Sequence, residues 1–424
     1  MRYASTRQSS PLVSLSDGLT AGLAPDGGLY LPETLPQLDA AALDPSDPHG
    51  IARAVLAPFL DGDPLAEHLD AIVADAFAPP FPIVPTRDPQ LHILELFHGP
   101  TAAFKDFGAR FLAACLARLD RPPLTTILVA TSGDTGGAVA AAFHNRPGFR
   151  VVVLYPDGRV SPRQAHQLEA FGGNVVTLRV DGAFDDCQAL VKAAFADEAL
   201  RADVPMTSAN SISLGRLLPQ MVYHAVASIQ LAATQGPVGL VVPTGNLGNA
   251  LAAWLAGAIG LPIRHVVLAT NANDAIVTWH QTGQADPRVS VPTLANAMDV
   301  GVPSNLERLR HLIGHDVDGP ALSALATGDD TIRAQVGAAP ERYGHVVCPH
   351  TACALNAYEQ LEVCRTGPWI AAATAHPAKF DTVVEPILGH DVPVPAELAK
   401  LLGQPRKGEA MANDLDALRT VLRR

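Results

Sequence analysis

A chain of 424 residues, 48% hydrophobic and 17% charged, is long enough for two or three domains with sizeable cores and leaves little room for long disorder. Its formal net charge of −12 argues against a nucleic-acid partner, and no apolar run reaches the ~18 residues needed to span a membrane. The start, MRYASTRQSSPLVSLSDG, lacks the basic and apolar regions of a signal peptide, and five cysteines, an odd number, fit reduced cytoplasmic thiols better than a disulfide framework.

Residues 1–90 are rich in Pro, Asp and Gly and read as an irregular leading segment or small cap, with short elements such as GGLYLPETLP. From about residue 91 to 424, apolar strand-like runs alternate with alanine-rich helical ones. Strands are expected at Thr125–Thr131, Phe149–Pro156, Asn174–Val180, Val238–Thr244 and Ile263–Thr270. Helices are expected after them, at AVAAAFHN, SPRQAHQLEAFG with Ser161 as its N-cap, FDDCQALVKAAFAD and ALAAWLAGAIG. This alternation predicts an α/β architecture of parallel, doubly wound sheets. No low-complexity linker separates the later segments, so two lobes should interleave.

Three features carry chemistry. The stretch ELFHGPTAAFKDFGARFLAACL holds Lys105, one of five lysines in the chain, among Phe104, Phe107, Phe111 and Leu112. An amine in such surroundings loses hydration, its pKa falls, and it can form a Schiff base with a carbonyl. The plainer readings are a lysine snorkelling from a buried helix, or one paired with Asp106. Next, TSGDTGG (Thr131–Gly137) puts hydroxyls and free N–H groups at a helix N-terminus, where a carboxylate is attracted. Finally, TGNLGNA (Thr244–Ala250) lets backbone amides approach a phosphate, although it matches neither a dinucleotide fingerprint nor a phosphate loop ending in Gly-Lys-Ser/Thr. An amine, a carboxylate cradle and a phosphate cradle form a kit for pyridoxal phosphate acting on an amino acid. Cys348, His350 and Cys353 lack the paired spacing of a metal site, so no metal is expected and these read as free thiols in a buried loop.

The motifs YASTR, GLAPDGGLYLPETLP, ELFHGPTAAFKDF, TSGDTGGA, TSANSISLGRLLPQMVYH, VPTGNLGNALAAW, TLANAMDVGVPSNLERL, CPHTA and TAHPAKF occur in the order found in threonine synthases, which the chain resembles over essentially its whole length. These are pyridoxal-phosphate enzymes of fold type II, the tryptophan-synthase-β-like fold. The resemblance implies conversion of O-phospho-L-homoserine and water to L-threonine and phosphate, by γ-elimination followed by β-addition. It implies Lys105 as the Schiff-base lysine and proton carrier. Gly245, Asn246, Leu247, Gly248 and Asn249 would hold the cofactor phosphate, and Thr351 would serve the ring nitrogen. Ser132, Asp134 and Thr135 would line the substrate carboxylate, and Asn210, Ser211 and Arg216 its phosphate. Without the family, Arg216 reads as a surface ion pair and Thr351 as a helix N-cap. The chain departs from the pattern at Ser213, Leu214, Cys353 and Ala354. The rival functions are a phospho-lyase of the same fold and a catalytically silent ligand-binding relative. Oligomeric state, monomer or homodimer, stays open.

Overall fold

The computed structural model describes residues 1–424. Its strands are β1 (Tyr3–Ser5), β2 (Tyr30–Pro32), β3 (Ile83–Pro85), β4 (Leu91–Glu95), β5 (Thr125–Ala130), β6 (Phe149–Pro156), β7 (Val175–Val180), β8 (Met206–Ser208), β9 (Val238–Pro243), β10 (Ile263–Thr270), β11 (Ala321–Ala326), β12 (Trp369–Ala373) and β13 (Glu409–Met411). They form a two-stranded ribbon, a six-stranded sheet in the order β11-β10-β9-β12-β4-β3, and a five-stranded sheet in the order β13-β7-β6-β5-β8. The chain leaves the six-stranded sheet after β4, builds β5 to β8 in the other, returns for β9 to β12, and ends with β13 back in the second. The lobes therefore interleave.

The five expected strands form where they were read, two with matching ends, because each is an apolar run covered by helices on both sheet faces. Ser161 caps its helix through Gln164 N–H at 3.2 Å. Two expectations need correction. The six-stranded sheet is mixed, since β3 pairs antiparallel with β4 at its edge. The leading residues are also more helical than their Pro and Asp content suggested, with helices at Leu15–Ala21, Pro48–Leu60 and Leu69–Ala76. Asp47-Pro48 opens a helix rather than a loop: the Asp47 carboxylate caps Gly50 N–H at 2.8 Å, and proline fits the first helical position because its missing N–H is not needed there.

That leading segment supports the Lys105 helix (Lys105–Leu116). Phe77 stacks on Phe107 with ring centroids 6.1 Å apart, and Phe81 meets the same ring edge-on at 5.5 Å. The long helix Leu214–Gln235 packs against Lys105–Leu116, Pro48–Leu60 and Gly248–Ala258. Across the lobes, Arg163 reaches from the helix Pro162–Glu169 to Ala378 C=O at 2.6 Å and to Asp381 at 3.2 Å. No helix is long and apolar enough to cross a membrane.

Central strand β9 has a steric requirement. Gly239 lies in register with Trp369 of β12, and a Cβ there would sit 2.3 Å from the indole ring. Gly239→Ala is therefore expected to lower stability by about 1–3 kcal/mol through overpacking. Denaturant unfolding checks this, and an unchanged midpoint would show that the ring can move aside.

Candidate active site

Lys105 is the first residue of its helix, and the turn before it is tightly held. Ala102 sits in the left-handed region at φ 52°, Phe104 N–H donates to Thr374 C=O at 2.9 Å, and His376 N–H donates to Ala102 C=O at 3.0 Å. Asp106 is not the partner of Lys105. Its carboxylate turns back to Thr101, accepting from the N–H at 2.9 Å and the hydroxyl at 2.6 Å. The Lys105 amine, with its side chain 16% exposed, lies 3.5 Å from the Asp134 carboxylate and 4.9 Å from the centroid of the Phe104 ring. Burial lowers its pKa, and the Lys379 and Arg216 cations push the same way against the pull of Asp134.

Asp134 begins the helix Asp134–Phe143, after Gly133 at φ 139°. Its carboxylate is buried and accepts from Lys379 at 2.7 Å and Gln164 Nε2 at 3.0 Å. Burial alone would raise its pKa, but Lys379, Lys105 and Gln164 together hold it well below the carboxylate range. A carboxylate so committed is the partner of lysines rather than of another carboxylate. Two of the amides expected to be free at this turn are also taken, since Thr131 Oγ1 accepts from Gly133 N–H at 3.0 Å and Gly136 N–H at 2.9 Å. Ser132 and Thr135 remain half-buried at its rim.

The glycine-rich turn after β9 sits at the N-terminus of the helix Gly248–Ala258, with Leu247 left-handed at φ 62°. A Cβ on Gly245 would lie 2.6 Å from the Met298 backbone, so that approach requires glycine. Asn249 accepts from Tyr223 OH at 2.7 Å and is 2.8 Å from His224 Nε2, which leaves its buried Nδ2 donor without a partner. Asn246 Nδ2 donates to Ser211 Oγ at 2.6 Å, joining this turn to the loop before Leu214–Gln235. Arg308 fixes both: it donates to Asn305 Oδ1 and to Ile212 C=O, each at 2.7 Å, while Asn305 donates to Asn246 C=O at 3.0 Å.

Arg216 is not a surface ion pair. It is 2% exposed, donates from Nη1 to Ala209 C=O at 2.6 Å, and has a buried Nε with no partner. Burial pulls its pKa down to about 10, which still leaves it charged near neutral pH. Gly108 admits it, because a Cβ there would be 2.9 Å from Arg216 Nε. Asn210, in the loop that precedes this helix, has a buried Oδ1 without a partner. Thr351 is buried as the third residue of the helix Pro349–Gln360, whose cap position is Cys348, so it is not a helix N-cap. Its hydroxyl lies 3.4 Å from Cys348 Sγ. Cys353 belongs to that helix rather than to a loop, and all five cysteines are free and buried.

The donor set suits pyridoxal phosphate. A helix N-terminus with a partnerless Asn249 amide suits its phosphate, a desolvated amine suits its aldehyde, and a buried hydroxyl suits its ring nitrogen. Comparison with known proteins agrees. A family described as pyridoxal-phosphate dependent enzyme matches residues 85–368, threonine synthase N terminus matches 2–77, and threonine synthase, C-terminal, matches 351–422. Threonine synthase from Haemophilus influenzae is 41% identical over 418 residues, covering 97% of this chain and 96% of its own. The chain belongs to the threonine synthase family. The crystal structure of threonine synthase from Escherichia coli superposes with a TM-score of 0.91 at 38% identity, covering 100% of this chain and 99% of its own. The pyridoxal-phosphate-bound threonine synthase from Brucella melitensis gives 0.91 at 35% identity, with the same coverage.

Sequence reasoning about threonine synthase motifs missed Lys379, Gln164 and Arg308. Lys379 carried the signal used for Lys105, a rare lysine in the apolar motif TAHPAKF. Arg308 had no such signal, since its partners Tyr30 and Ile212 are far away in sequence. Because Thr351 does not cap its helix, Thr351→Val should cost under about 1 kcal/mol in unfolding free energy, against the ~0.5–2 kcal/mol lost with a side-chain cap. A loss above about 1 kcal/mol in chemical denaturation would contradict the assignment.

Proposed function

We propose that this chain, in the cytoplasm, converts O-phospho-L-homoserine and water to L-threonine and phosphate, with Lys105 bearing pyridoxal phosphate. One observation carries the site assignment: besides a desolvated amine that feels the Arg216 cation, the fold holds two buried donors, Asn249 Nδ2 and Arg216 Nε, that have no partner within the protein. Two such donors match a phosphorylated cofactor and a phosphorylated substrate. The Gly245–Asn249 turn and Asn249 Nδ2 would take the cofactor phosphate, and Thr351 its ring nitrogen. When bound, the cofactor supplies an electron sink that acidifies the protons at substrate Cα and Cβ. A hydroxyl at the ring nitrogen keeps that sink modest, which suits elimination and replacement over transamination.

The side chains divide the remaining work. Lys105 would take the proton at Cα, pass it on, and then take one at Cβ; of these two protons and the one lost by the water that adds at Cβ, one would go to Cγ, one to the departing phosphate and one back to Cα. Burial lowers the pKa of Lys105 and so favours the neutral form that can accept a proton. Arg216, with Asn210 and Ser211, would bind the substrate phosphate and stabilise the charge that grows as it leaves Cγ. Ser132 and Thr135 would face the substrate carboxylate, while Asp134 stays with the lysines. Gln167 and Arg163 reach across from the five-stranded lobe, Asn296 reaches back to Gln164, and closure along this seam would keep bulk water out until phosphate has left.

The test is product identity. With O-phospho-L-homoserine the purified protein should release threonine and phosphate in equal amounts. A keto acid instead would make it a phospho-lyase, and no turnover would favour a silent binding protein. Borohydride reduction of the yellow holoenzyme should fix the cofactor on the peptide bearing Lys105, and label on Lys192 or Lys400 would contradict the assignment. Arg216→Ala removes a charge-assisted contact and should cost roughly 1.5–3 kcal/mol in kcat/KM for phosphohomoserine, with Arg216→Lys a partial rescue. Unchanged kcat/KM would place the substrate phosphate elsewhere.

A further inference from the structure

Two amines share one carboxylate, and they share it unequally. Lys379 donates to Asp134 Oδ1 at 2.7 Å and to Thr101 C=O at 2.7 Å. It is 1% exposed. Its backbone is held by the short turn Pro377–Phe380, where Lys379 N–H donates to His376 C=O at 3.1 Å. Lys105 reaches only the other oxygen, at 3.5 Å, beyond ordinary N–H···O contact. Gln164 Nε2 also donates to Asp134 Oδ1.

We propose that Lys379 is a positioning residue for Lys105: by occupying Asp134 it keeps that carboxylate from capturing the Lys105 amine as an ion pair, and so leaves the amine able to react. This rests on Lys105 being the cofactor lysine. Capture requires the nitrogen lone pair. The amine attacks the aldehyde carbon, the C–N double bond forms, and the aldehyde oxygen departs as water with the two hydrogens of nitrogen. An ammonium locked to a carboxylate has no lone pair to offer.

The other charges near Lys105 do not provide this control. Arg216 is a cation and cannot neutralise Asp134 without leaving Ala209 C=O. Asp106 is engaged by Thr101. His350 is kept neutral by burial, with its Nε2 accepting from Ala297 N–H at 3.2 Å. Removing the Lys379 charge would leave Asp134 facing Lys105 in a buried site, where an unscreened carboxylate favours the protonated amine strongly.

The test follows capture of pyridoxal 5′-phosphate by cofactor-stripped protein, read by visible absorbance across pH. The reagent's own ionisations are common to all variants, so differences in midpoint report the amine. Lys379→Met should raise the midpoint by about one pH unit or more, slowing capture roughly 10-fold below it. The double variant Asp134→Asn/Lys379→Met, which leaves no unpaired carboxylate, should return within about half a unit of the unmodified protein. Asp134→Asn alone should lower the midpoint, since Lys379 and Arg216 then face the amine unopposed. If Lys379→Met does not fold, the single and double variants that carry Asp134→Asn decide the matter. A purely structural Lys379 would change how much cofactor binds but not the midpoint, so unmoved midpoints in the folded variants overturn the proposal. Borohydride mapping of the unmodified protein separates the two assignments. Label away from Lys105 overturns the cofactor site itself, whereas label on Lys105 with unmoved midpoints overturns the role of Lys379 alone.

Discussion

The site depends on a buried carboxylate between two lysines. Asp134 projects from a helix of the five-stranded lobe, whereas Lys379 follows β12 of the six-stranded sheet and Lys105 starts the helix that leads from one lobe to the other. Burying a charge costs several kcal/mol unless it is well paired, and removing one partner from such a set is strongly destabilising. The set therefore fixes how the lobes meet as well as the state of the amine. Arg163 on Asp381, Gln167 on Thr101 and Asn296 on Gln164 all lie along the same seam. Charge, lobe registry and chemistry are coupled through a few side chains.

Around that set the protein keeps groups that its own fold does not satisfy. Buried donors without partners cost roughly 1–3 kcal/mol each and are uncommon in folded proteins. Here Asn249 Nδ2 and Arg216 Nε are both unpaired, and each belongs to a side chain held by another of its atoms. Tyr223 and His224 fix the Asn249 amide, and Ala209 fixes the Arg216 guanidinium. Leu247 and Ala102, both left-handed without being glycine, add local strain at the glycine-rich turn and at the turn before Lys105. Polar groups and backbone strain held in this way are what a preorganised anion-binding site requires.

How far this was legible in the sequence follows from physics. Buried parallel strands such as β6 and β10 announce themselves, because an unbroken apolar run has few other uses. Lys105 was legible for a related reason, as a costly side chain in an apolar setting. The leading helices were hidden because Asp and Pro signal both loops and helix starts, and the outcome turns on whether Asp47 can reach Gly50. The pairing of Asp134 with Lys379 was not legible, because the two are more than 200 residues apart in the chain. Arg308 and Arg216 show the same limit. Both are buried, which composition cannot foretell, and both act through carbonyl groups brought close by the fold.

The central claim is that burial and neighbouring cations, with Asp134 drawn toward Lys379, leave Lys105 as the reactive amine. The most direct measurement is the ¹⁵N NMR titration of lysine Nζ in cofactor-free protein labelled at its five lysines, assigned by loss of a signal in Lys105→Ala. The account predicts that the Lys105 signal titrates below the ordinary lysine range, toward neutral pH. A Lys105 signal that titrates at or above that range would show a lysine ion-paired to Asp134, and would contradict it.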